Sequence, residues 1–185
     1  YTLTQPTTTA NITAATLTVT GITANNRVYD STTNMTNQLV LGSAALSGVA
    51  GSDDVTLQTG SATASVSTKT FGTGKTVQVA GLTINGVDST NYTLTQPTTS
   101  ANITTATLTV VGSVANNKVY DGTRGANLTM SGASLSGVLS GDSVAISTTS
   151  TTGLFDTADV GTSKIVTISG VTATGTDSGN YTVTQ

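Results

Sequence analysis

The chain has 185 residues, of which Asp, Glu, Lys and Arg together make up only 8%, and its formal net charge is −3. It contains no Cys, His, Trp or Glu, which removes a disulfide framework, thiolate chemistry, and most of the usual metal ligands and general bases. Six basic residues scattered along the chain leave no electrostatic footprint for nucleic acid, and no apolar run approaches the roughly 20 residues of a membrane-spanning helix.

Threonine fills 44 positions. Like Val and Ile it is stiff at χ1 and fits a pleated, half-exposed surface, so the composition predicts an all-β fold. Disordered chains combine weak hydrophobicity with high net charge, and this chain has neither. In chain order, Tyr1-Thr-Leu-Thr-Gln-Pro-Thr-Thr-Thr-Ala-Asn-Ile-Thr13 comes first. It returns almost letter for letter at Tyr92–Thr104, and its first half returns again at Asn180–Gln185. The chain is therefore a tandem array. Residues 1–10 read as the closing strand of a preceding repeat, and the chain is expected to be a piece of a longer protein, any targeting signal lying outside it. Thr16–Thr20 alternates Leu17 and Val19 with threonine, the pattern of a half-buried strand. Ala24-Asn-Asn26 reads as a turn.

Tyr92 lies 91 residues after Tyr1 but Tyr181 only 89 after Tyr92, and the two-residue deletion falls between Tyr29 and Leu46. Residues 31–41 are therefore expected to form an exposed loop or a loosely paired edge. Gly51-Ser-Asp-Asp54, Gly72-Thr-Gly74, Asn85-Gly86 and Asp88-Ser-Thr-Asn91 read as turns. Lys75–Val79 reads as a strand with Val77 and Val79 inward, and Tyr92–Gln96 closes the unit with Tyr92 and Leu94 inward. Thr107–Val110, Val166 and Ile168 repeat this in the second copy. Short strands in units of roughly 90 residues predict two tandem β-sandwich modules of immunoglobulin-like size, 11–100 and 101–185. A β-grasp-like module with one helical turn after the Tyr-Asp pair is the alternative. Pro97 and the threonine-rich link predict modules stacked end to end as a rod.

Asn25-Asn-Arg-Val-Tyr-Asp30 and Asn116-Asn-Lys-Val-Tyr-Asp-Gly-Thr123 are each followed by Leu-Ser-Gly-Val and a glycine-bearing Asp turn, Gly51-Ser-Asp53 in the first copy and Gly141-Asp142 in the second, and in the first copy by Gly74-Lys75 and Asp88-Ser-Thr-Asn-Tyr-Thr-Leu94. Over nearly the whole chain this resembles the YDG repeat of large bacterial surface proteins, including filamentous-haemagglutinin-like adhesins. The resemblance implies an extracellular location at the bacterial cell surface and a stalk that carries a binding tip. Ser31 stands where the second copy has Gly122. If that position needs φ > 0, the first turn must differ or carry strain.

In Tyr29-Asp30, Tyr120-Asp121-Gly122, Asn91-Tyr92 and Asn180-Tyr181 the expectation is structural, with Tyr burying its ring and bonding its hydroxyl while Asp closes a turn. Asp53, Asp54, Asp142, Asp88 and Asp177 read either as turn caps or as calcium ligands. Calcium takes about six to eight oxygens, so that reading requires two turns to converge. Lys75 and Lys164 read as lysines lying along the sheet, with an isopeptide cross-link as the alternative. Asn-x-Thr triplets at Asn11, Asn34, Asn91, Asn102, Asn127 and Asn180 fit the glycosylation acceptor pattern, which also arises by chance in so threonine-rich a chain. No catalytic residue is expected and no cofactor other than possible calcium. The expected partners are neighbouring repeats. An interaction module binding glycans or other fibres through an exposed β face or edge is the second function class, because few lysines guard the edges. Tyr1–Gln5, lacking its own module, is left to dangle, to fold back on the first module, or to add to another molecule's sheet. An enzyme, which would need a pocket of converging carboxylates, is the third.

Overall fold

The alternation at Thr16–Thr20 becomes a strand, Ala15–Thr20, with Leu17 and Val19 buried and the threonines turned outward. The computed structural model describes residues 1–185 and is all-β, made of short strands, turns and three single-turn 3-10 segments. Residues gather into two compact units: Tyr1–Asn25 with Asn34–Ser67 and Thr76–Ala101, and Asn26–Thr33 with Thr68–Lys75 and Asn102–Gln185. The second unit thus includes two segments that belong to the first copy by sequence.

In the first unit, Ala15–Thr20 pairs in parallel with Tyr92–Leu94 and antiparallel with Ala45–Ser47. The facing layer is Thr63–Val66 against the Thr76–Ala80 part of the Gly72–Ala80 strand, with Val66 opposite Val77. Val79 N–H donates to the Pro97 carbonyl at 3.1 Å on the other side of that strand. The layers meet at Val19, Val79 and Leu82, around which Leu39, Leu46, Leu57 and Leu94 pack. This is the arrangement of a β-sandwich, inward residues alternating with polar outward ones.

The second unit repeats the plan. Ala106–Val111 pairs in parallel with Tyr181–Thr184 and antiparallel with Ser134–Ser136. Gly125–Ala126, Thr152–Phe155 and Val166–Ser169 follow one another in the facing layer. Leu108 and Val171 are fully enclosed. This unit also holds Ile103 and Thr104 in parallel register with Arg27 and Val28.

The one helical turn that the β-grasp-like alternative places after the Tyr-Asp pair is present at Thr36–Gln38, and it is the two facing strand layers that favour the sandwich. The helical segments here, Thr36–Gln38, Ser89–Asn91 and Ser178–Asn180, are one turn each. Gly72–Gly74, expected as a turn, instead begins the nine-residue Gly72–Ala80 strand. Gly74, at φ +60, bends the backbone without ending the strand, which glycine does at no steric cost.

Of the two expectations for residues 31–41, an exposed loop or a loosely paired edge, the structure carries the paired edge. Met35 is fully buried, its N–H donates to the Ala64 carbonyl at 2.8 Å, and Leu39–Val40 pairs with Thr23–Ala24. The extra length is taken up by the Thr36–Gln38 turn. In the second copy only Asn127 separates Gly125–Ala126 from Leu128–Thr129. The cores compensate: Ala126 faces Gly153, and Leu128 leans onto that glycine so closely that an added Cβ would lie 2.9 Å from Leu128 Cδ2.

Met35→Ala should therefore cost about 2–5 kcal/mol, the range for emptying a closed core site. Gly153→Ala should cost about 1–3 kcal/mol by overpacking. Urea unfolding of the two variants against the parent chain measures both.

Candidate functional site

The second unit concentrates its polar chemistry on one carboxylate. Asp142 sits in a turn closed by its own N–H on the Leu139 carbonyl at 3.2 Å, and its side chain has no solvent exposure. Oδ2 accepts the Tyr181 and Tyr29 hydroxyls, each at 2.7 Å. Oδ1 accepts the Ser31 hydroxyl at 2.7 Å and Lys69 Nζ at 2.5 Å. Four donors fill the acceptor capacity of an ionised carboxylate, which is what a buried charge requires.

Each donor is placed by its own element. The Ser178–Asn180 turn delivers Tyr181 to the head of the closing strand, where its hydroxyl also accepts Leu139 N–H at 3.1 Å. Parallel pairing of Arg27–Val28 with Ile103–Thr104 carries the chain on to Tyr29, whose ring meets that of Tyr181 edge-on at 5.5 Å. Lys69 Nζ lies 5.9 Å from the Tyr29 ring centroid and 3.8 Å from the Asp177 carboxylate. Two residues on, Phe71 N–H donates to Asn180 Oδ1 at 3.0 Å, and Asn180 is buried.

Burial works to raise the Asp142 pKa, but the donors, Lys69 first, outweigh it and hold the carboxyl well below the usual range. The bond to Asp142 raises Lys69 above the ordinary lysine value, with Tyr29 adding to it. Burial and then the bond to Asp142 push Tyr181 up to about 12. At neutral pH Asp142 is held as the anion, Lys69 as the cation and the Tyr181 phenol as neutral, and a lysine held protonated is not a nucleophile. The arrangement is a clasp.

The first unit carries half of it. Tyr92 donates to Asp53 Oδ2 at 2.7 Å and accepts Ala50 N–H at 2.9 Å, and the bond to Asp53 is the main cause that raises the Tyr92 pKa. Asn91, unlike Asn180, is exposed.

The aspartates expected as calcium ligands have local roles. Asp54 N–H donates to Asp88 Oδ2 and Ser143 N–H to Asp177 Oδ2, both at 2.9 Å. No three carboxylates come together, and the cation facing Asp142 and Asp177 is the Lys69 ammonium. Asp30 and Asp121 close turns as expected: each Oδ1 accepts the N–H and hydroxyl of the threonine two residues on, at 2.9 Å. Lys118 and then Thr123 lower Asp121 to about 2. Ser31 at φ 63 and Gly122 at φ 73 share one conformation. Left-handed backbone costs a non-glycine residue about 1–2 kcal/mol, here offset by the Ser31 hydroxyl bonded to Asp142 and Lys69.

Tyr120 corrects an expectation. It matches Tyr29, which is 3% exposed, yet Tyr120 is 63% exposed. Lys75 bonds the Thr68 hydroxyl at 2.8 Å, and Lys164 bonds the Thr157 hydroxyl at 2.6 Å and pairs with the half-exposed Asp156 carboxylate at 3.3 Å. Lys69 went unremarked in the sequence because its counterpart is Ala158, so comparing the copies gives no signal there.

The family model of the YDG domain matches residues 13–101 and again residues 104–185. No curated protein and no solved structure matches the chain.

Tyr29→Phe removes a hydrogen bond to a buried charge and should cost about 1.5–3 kcal/mol. Tyr120→Phe, on an exposed ring, should stay within about 0.5 kcal/mol. The urea midpoint should also depend on pH. The depressed Asp142 contributes stability above the unfolded aspartate pKa of about 3.9, lost as pH falls below it. The raised Tyr181 and Lys69 contribute below their unfolded values of about 10 and 10.4, lost as pH rises beyond them. A plateau between about pH 5 and 9 is expected, and Asp142→Asn should lower it and flatten its acid limb.

Proposed function

The chain belongs to the YDG domain family in both of its copies, and from that membership we propose that it is a stalk segment of a long, repetitive extracellular protein of the bacterial cell surface. Its part is structural, projecting a binding region away from the cell, and it catalyses nothing. The observation that carries this reading is the pairing of each unit's first and last strands. Ala15–Leu17 runs parallel to Tyr92–Leu94, and Ala106–Thr109 parallel to Tyr181–Thr184. In a parallel pair the chain enters at one end of the ladder and leaves at the other. Pulling on the two ends then loads the inter-strand hydrogen bonds together in shear, and no bond opens until several do. An antiparallel pair pulled at its open ends peels one bond at a time. Parallel closure suits a module strung in series under tension.

Composition supports the same reading. Sheets faced with threonine hydroxyls and so few charges depend little on surface ion pairs, which salt screens. Repeated modules are the economical way to supply length.

Single-molecule pulling from the two chain ends tests the stalk. Two separate force peaks are expected, each releasing about 80 residues, or roughly 280 Å at about 3.5 Å per residue. Thr182→Pro, which removes a ladder N–H from one closing strand, should lower one peak and spare the other. Smooth extension at low force without peaks would overturn the proposal.

A further inference from the structure

Of the chain's twelve asparagines, only Asn85 is followed by glycine, Gly86. The pair closes the Thr83–Asn85 strand, where Asn85 stands opposite Thr56 of the Thr56–Gln58 strand. Asn85 is exposed, and its side chain folds back so that Gly86 N–H donates to its Oδ1 at 2.8 Å. With a carbonyl bond of about 1.23 Å, the amide nitrogen then stands within about 4 Å of Asn85 Cγ. A small side-chain rotation brings the two to the separation of reacting groups, about 3–3.5 Å.

The carboxamide is thus an electrophile beside its own nucleophile, and glycine has no side chain to hinder the approach. Gly86 N gives its proton to a base and bonds to Asn85 Cγ. The carboxamide nitrogen leaves as ammonia and a five-membered imide closes. Water then opens one of the two imide C–N bonds. One opening leaves aspartate in an ordinary peptide; the other leaves isoaspartate, whose backbone runs through the side-chain carbons and is one methylene longer. One asparagine and one water enter, one acid and one ammonia leave, and nothing is oxidised or reduced.

The fold offers no slack for that methylene. Gly86, at φ 123, lies so close to the facing turn that an added Cβ would sit 2.0 Å from the Asp54 carbonyl oxygen. The Gly86 carbonyl accepts Ser89 N–H at 3.2 Å and the Ser89 hydroxyl at 2.7 Å, and Asp88 Oδ2 accepts Asp54 N–H at 2.9 Å. These bonds start the Ser89–Asn91 turn, which sets Tyr92 at the head of the closing strand. Either product also adds a carboxylate beside Asp54 and Asp88, and neighbouring like charges oppose one another. The second copy has the same turn without the chemistry. Gly175 holds φ 109, and an added Cβ there would meet the Ser143 carbonyl oxygen at 2.3 Å. Thr174, which stands in the place of Asn85, has no carboxamide.

We propose that Asn85-Gly86 is a self-modifying site, which converts through the imide to aspartate and isoaspartate and so loosens the first unit as the protein ages while sparing the second. This goes beyond the stalk reading and does not rest on it.

Incubation of the whole chain at neutral and at mildly alkaline pH, followed by peptide mass mapping, tests the site. Asn85 should exchange its amide for an acid roughly tenfold or more faster than any other asparagine. The rate should rise with pH, because Gly86 N must lose its proton. Asn85→Thr copies the second unit, so it should keep the fold and abolish the exchange at this position. In the aged parent, hydrogen exchange should speed in Tyr92–Leu94 and stay unchanged in Tyr181–Thr184, and aged Asn85→Thr should show neither change. Asn85→Asp supplies the charge without the methylene and should reproduce only part of the loosening. Conversion at Asn85 no faster than at the other asparagines overturns the proposal. Conversion slower in the folded chain than in urea overturns it too, by showing that the fold protects the pair. Full conversion that leaves exchange in Tyr92–Leu94 unchanged overturns the loosening.

Discussion

In both copies a tyrosine hydroxyl at the head of the closing strand bonds a carboxylate in a glycine-bearing turn, Tyr92 to Asp53 and Tyr181 to Asp142. That bond fixes where the last strand begins. Ala15 and Ala106 then find Tyr92 and Tyr181 opposite them, and the parallel ladder follows in register. A one-residue slip would turn Leu17 and Leu108 out of their cores, so the polar pin and the apolar core specify the same alignment. Agreement between independent levels is what gives a sequence a single structure. Asp142 shows how far the pin can be elaborated. Its carboxylate lies wholly out of water and is tolerable only because four donors converge on it.

The sequence was most legible where period two is strict. Thr16–Thr20, Lys75–Val79 and Thr107–Val110 announce their inward faces directly, because a hydroxyl at every second position leaves one side to bury. It was less legible where a short segment serves two purposes. Residues 31–41 look polar and variable, but Met35 plugs the core and the length change is confined to one 3-10 turn. Gly72-Thr-Gly74 reads as a turn because glycine usually marks one, whereas Gly74 bends a continuing strand. The clasp was half legible. The tyrosines and aspartates recur between copies, but Lys69 and Ser31 do not, and a repeat comparison finds only what repeats.

The two copies also show how little of a residue's environment is set by its local sequence. Tyr29 and Tyr120 lie in nearly the same hexapeptide, and Asp30 and Asp121 close the same turn with the same threonine bonds. One ring is enclosed and the other is in solvent. Asn91 and Asn180 differ in the same way. The motif specifies its own turn; what covers it is supplied from outside the motif.

Lys69 and Ser31 have a bearing on heredity. Arrays of near-identical repeats lengthen and shorten by unequal recombination, which joins the head of one copy to the tail of another. A joint built from second-copy residues would bring Ala158 and Gly122 to the carboxylate in place of Lys69 and Ser31. It would keep the paired phenols and lose the ammonium and one hydroxyl. Such a joint would be weaker than the one the first copy supplies, having lost a charged donor and a hydroxyl donor to a buried carboxylate.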